Sequence, residues 1–112
     1  MFKTILVPID VSQSDSGEMG LKAAAELAGK IGANLILLSV TGDVPNLVAN
    51  QLPTDYVESA QSSARKALEK LAASHGLAAG DYEILTSHGQ IYHEILLAAK
   101  NSGCDLIVVT SH

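Results

Sequence analysis

Asp10 closes the run Lys3-Thr4-Ile5-Leu6-Val7-Pro8-Ile9. A lone carboxylate directly after a buried strand can hold a ribose hydroxyl, ligate a metal, or simply buttress a turn. Few other residues offer chemistry. Ser12 and Ser14 follow without an Asp-His relay, and no Gly-x-Ser-x-Gly elbow occurs. His75, His88, His93 and His112 are scattered, and Cys104 has no partner cysteine, so zinc-type spacing is missing. His88 and His93 straddle the start of one helix, which is poor geometry for a shared metal. Gly89 serves there as a turn device, and Tyr92 as a packing or rim residue. Neither a Walker loop nor Gly-x-Gly-x-x-Gly is present.

The elements that must position Asp10 belong to one domain, because 112 residues bury one core but not two. The chain is 47% apolar and 17% charged, a globular balance. With aromatics at 4%, the core must be built from Ile, Leu, Val and Ala, as in parallel sheets covered by Ala-rich helices. A net charge of −5 argues against a nucleic-acid backbone or an anionic membrane as the main partner. One bound nucleotide stays compatible, because backbone N–H groups can hold phosphate without a basic patch. A single cysteine fits a reducing cytoplasm. The N-terminal run, broken at Pro8 and Asp10, does not have the form of a signal peptide. The apolar runs are too short to span a bilayer.

Residues 3–9 form a continuous apolar, β-branched stretch, expected as a strand buried on both faces and ending near Pro8. Ser12, Ser14 or Asp15 can cap a helix that runs to Ile31 and stops at Gly32. Its apolar stripe is Ala23, Ala24, Leu27, Ala28 and Ile31. A second buried strand spans 33–41. Residues 42–53 form a long loop, a length often linked to function. Thr54 caps a second helix ending near His75, with Val57, Ala60, Ala64, Ala67, Leu68, Leu71 and Ala72 inward. A third strand covers 81–87. A third helix covers 90–101, with Ile91, Ile95, Ala98 and Ala99 inward, and Gly103 stops it. The fourth strand is 105–110. This β-α-β-α-β-α-β order implies an α/β fold with an open parallel sheet, right-handed crossovers and helices on both faces.

Three helices leave part of one face bare around the fourth strand, although Asp105-Leu106-Ile107-Val108-Val109-Thr110 has the composition of a strand buried on both sides. Three expectations remain open. A further helix and strand, roughly 30 residues, can complete the unit beyond His112; a partner or second copy can cover the face; or the sheet has another arrangement. Ligands of such sheets bind at the carboxyl ends of the strands, where strand order reverses. If the first strand is central, that crevice gathers Pro8, Ile9, Asp10 and Val11 with Thr110, Ser111 and His112, beside Ser39, Val40 and Thr41.

These segments together resemble the universal stress protein family. The likeness is carried by residues 3–10, by Leu35-Ile36-Leu37-Leu38-Ser39-Val40, by the Gly89-Gln90-Ile91 helix start, and by Cys104-Asp105-Leu106-Ile107-Val108-Val109. The resemblance extends over the whole chain as a single domain. It implies a Rossmann-like sheet of order 3-2-1-4, with a fifth strand and last helix beyond His112, and a cytoplasmic homodimer. One branch of the family binds ATP. Carried over, Pro8, Ile9 and Asp10 would meet the ribose or the metal-phosphate region, with Asp10 a contact for Mg²⁺ accompanying the nucleotide. Val40 would hold the adenine through its backbone. That branch has a phosphate loop, Gly-x-x-Gly, nine residues, then Gly-Ser/Thr, and its first glycine falls on Thr110. Thr110, Ser111 and His112 therefore depart from it at the start, which puts the phosphate contacts in question.

The resemblance implies a stress-response sensor or regulator that binds an adenine nucleotide, with at most slow ATP hydrolysis or autophosphorylation. The alternative is a nucleotide-free dimerising module of the same fold. A phosphoacceptor receiver domain would need a carboxylate where the third strand ends, and Ile84-Leu85-Thr86-Ser87 supplies none.

Overall fold

In the computed structural model, residues 3–10, 16–42 and 55–109 are described. The elements in chain order are β1 (Thr4–Pro8), α1 (Ser16–Ile31), β2 (Asn34–Gly42), α2 (Tyr56–Ser74), β3 (Tyr82–Gly89), α3 (Ile91–Ser102) and β4 (Leu106–Ile107). All three strand pairings are parallel, and the sheet order is β3-β2-β1-β4. β1 is interior and joins both halves of the sheet, which suits its unbroken apolar character.

Strand alternation splits the core in two. Ile5, Val7, Leu35 and Leu37 face α1 and α2, where Leu21, Ala24, Ala28, Leu68 and Ala72 are buried against them. Leu6, Ile36 and Leu38 face the opposite side, covered by Ile95, Ala98 and Ala99 of α3 and by Cys104 and Ile107. Small alanines let the helices approach the sheet closely, so the large side chains of the strands fill the space between. At the end of α3, Gly103 takes a left-handed φ of 66°. The N–H groups of Gly103 and Cys104 bond to Lys100 and Ala99 carbonyls, which stops the helix.

Several expectations change in detail. Ala23 and Ala67 are exposed, and Leu21 takes the inward place in α1. Ile91 is half exposed, because it sits at the first turn of α3, past the covered part of the sheet. β3 runs two residues further than its expected end, since His88 and Gly89 pair with Thr41 and Gly42. Among the described residues of the fourth strand, Leu106 and Ile107 form the paired segment, and both are half-buried rather than buried on two faces. β4 is a sheet edge, and α3 packs over β2 and β3 instead. The expected caps Ser12, Ser14, Asp15 and Thr54 lie outside the described residues, as does the loop after Gly42. Among the described residues no helix is long and apolar enough to cross a membrane.

Candidate functional site

Parallel pairing sends every strand of this sheet to the same edge, and each helix that follows a strand must begin there. The positive ends of α1, α2 and α3 therefore point along that edge, the arrangement that favours anions.

Two hydrogen bonds continue the ladders beyond the assigned strands. Ile9 N–H donates to the Leu38 carbonyl at 2.8 Å, and Val108 N–H to the Leu6 carbonyl at 2.9 Å. The β1–β2 register pairs Pro8 with Leu38, so one step of alternation further brings Asp10 level with Val40. Leu6, Leu38 and Val40 belong to the α3 side of the sheet, and alternation puts Asp10 on that side too. Extending the register by two residues sets the two positions that resemblance assigns to ribose and adenine at neighbouring strand ends.

Asp10 is exposed, Pro8 and Val40 are half-buried, and Ile9 is buried in the core facing α1 and α2. Ile9 can therefore offer only backbone to a ligand. Thr110, Ser111 and His112 lie outside the described residues. His88 is an addition at this edge: it pairs with Thr41, is half-buried, and has a buried Nδ1. Reading His88-Gly89 as a turn hid it, and the pattern of register with β2 would have revealed it.

Among the described residues no group of three or more His, Cys, Asp or Glu gathers to hold a metal. Asp10 alone fits a Mg²⁺ ion held mostly by substrate phosphates and water, the usual way this ion is bound. A cavity of about 600 Å³ lies elsewhere, between α3 and the β2–β3 half of the sheet. Asp10 and Val40 do not line it.

An open parallel α/β sheet of order β3-β2-β1-β4 with helices on both faces defines a Rossmann-like protein. The universal stress protein family model matches residues 1–112, and the chain belongs to that family. Solved structures agree in fold. Hypothetical protein MJ0577 is 23% identical with a TM-score of 0.78, over 100% of this chain and 76% of that one. Universal stress protein UspA from Lactobacillus plantarum is 24% identical with a TM-score of 0.75, over 95% and 74%. A universal stress protein in complex with cAMP is 22% identical with a TM-score of 0.63, over 96% and 71%. No curated protein matches the sequence.

Proposed function

We propose that this protein is a stress-response regulator that binds an adenine nucleotide at the carboxyl edge of β1 and β2. The observation that carries the reading is the parallel β1–β2 register, continued by the Ile9 N–H to Leu38 carbonyl bond, which sets the strand ends that carry Asp10 and Val40 side by side. Val40 offers backbone hydrogen-bonding groups at a strand end, and Asp10 offers a carboxylate to a ribose hydroxyl. The helix N-termini along the same edge favour phosphate. The relative that holds cAMP supports an adenine ribonucleotide as the ligand class. ATP with Mg²⁺ is the form the resemblance favours, and Asp10 would then contact the ion beside the phosphates. The reading includes a cytoplasmic setting and a homodimer.

Calorimetric titration of the protein with MgATP, and separately with cAMP, tests this. Saturable binding that Asp10→Ala weakens by tenfold or more, about 1.4 kcal/mol, supports the reading. A folded protein that takes up neither nucleotide at millimolar concentration overturns it and leaves the nucleotide-free module.

A further inference from the structure

We propose that the outer edge of β3 is a pairing surface for a second copy of this chain, and that Arg65 holds it closed. The inference does not depend on the nucleotide reading. β3 ends the sheet on its side, with no strand beyond it among the described residues. Its residues, Tyr82–Gly89, include no Lys, Arg or Pro, the residues that commonly blunt a sheet edge.

The ladders show which groups face outward. Ile9 N–H donates to the Leu38 carbonyl and Asn34 N–H to the Lys3 carbonyl, so even-numbered residues of β2 turn toward β1. Odd-numbered residues of β2 therefore turn toward β3. Leu37 stands level with Ile84, so in a parallel ladder Leu37 bonds to Glu83 and Leu85. Tyr82, Ile84, Thr86 and His88 then direct their backbone groups away from the sheet. Arg65 of α2 confirms the direction: its Nη2 donates to the Ile84 carbonyl at 3.4 Å.

This edge complements itself. Two copies related by a two-fold axis at Leu85 exchange backbone bonds between Ile84 of one and Thr86 of the other. Glu83 then faces Ser87, and no like charges stand opposite each other within the strands. Arg65 opposes the pairing in two ways. It occupies the carbonyl that Thr86 of the second copy needs. The two-fold also brings both guanidinium groups to the same face, on Ile84 carbonyls that are diagonal neighbours about 7–8 Å apart.

Sedimentation velocity of the parent, Arg65→Ala, and Arg65→Ala with Thr86→Pro tests this. Arg65→Ala should self-associate at a protein concentration at least tenfold lower than the parent. Thr86→Pro should reverse the gain, because it removes an outward N–H and leaves the β2 ladder intact. Hydrogen exchange keeps the test open if the proline variant fails to fold. In associated Arg65→Ala the Thr86 amide should become protected, whereas the Leu85 amide, already in the ladder, is protected in both proteins. Association of Arg65→Ala no stronger than that of the parent overturns the proposal. So does a gain that leaves the Thr86 amide unprotected or that a folded Thr86→Pro variant retains.

Discussion

Asp105 and Lys3, 102 positions apart, are joined directly: the Asp105 carboxylate accepts the Lys3 backbone N–H at 2.6 Å. The same oxygen accepts the Thr4 N–H at 3.1 Å. Asp105 N–H in turn donates to the Thr4 carbonyl at 2.9 Å. The entry of β4 is thereby tied to the entry of β1. Because β4 contributes only two residues to the ladder, this tie does much to set its register.

The first prediction concerns pH. The Lys3 and Thr4 N–H groups hold the Asp105 carboxyl below its ordinary range by stabilising the charged form. A depressed folded-state pKa means that the unfolded chain binds the proton more readily. The contribution to stability is therefore complete above the ordinary carboxylate range and is lost as pH falls through the depressed folded value. Asp105→Asn should lower the urea midpoint at neutral pH and flatten the loss of stability on acidification. Parallel curves for both proteins between neutral and acid pH would show that the tie contributes nothing.

The second concerns Gly89. Its φ of 143° is a conformation that side chains rarely adopt, and the Glu94 side chain lies 3.2–3.3 Å from where a Cβ would stand. Gly89→Ala should cost about 1–3 kcal/mol, mostly through the backbone. Glu94 is long and can swing aside, so adding Glu94→Ala should restore only a small part of the loss. Full restoration in chemical denaturation would make the contact, rather than φ, the cause.

Much of this arrangement is legible in the residues themselves. β1 and β2 announce themselves because interior parallel strands need apolar residues on both faces. A constant parallel register then puts Asp10 level with Val40. Alanine is where pattern reasoning loses resolution: Ala23 and Ala67 are small enough to sit on either face, and only the longer Leu21 and Leu68 show where the core lies. His88-Gly89 has the composition of a turn, yet pairing with Thr41 and Gly42 keeps it in the strand. The cavity beside α3 has no linear signature, because residues of β2, β3 and α3 come to line it only through packing.

The helix faces supply the third prediction. Leu68 is fully buried between α2 and the sheet, whereas Ala67, its neighbour, is exposed. Leu68→Ala removes buried methyl groups and leaves a cavity, at about 2–5 kcal/mol. Ala67→Glu should change stability by no more than about 0.5 kcal/mol. Urea midpoints of the two variants decide it, and comparable losses would mean that α2 is rotated from the orientation described.

The fourth prediction addresses the exposed side of α3. Tyr92 is 79% and Leu96 65% exposed, one helical turn apart, and Val109 is 62% exposed. Apolar side chains with this exposure contribute little to the fold of the chain that carries them, but they favour association in water. Leu96→Lys should therefore shift stability by less than about 0.5 kcal/mol. In sedimentation velocity at high protein concentration the same variant should self-associate less than the parent. Unchanged association would remove this face from any account of how copies meet. A loss of more than about 1 kcal/mol would show that Leu96 is covered, because large losses come from buried rather than surface positions.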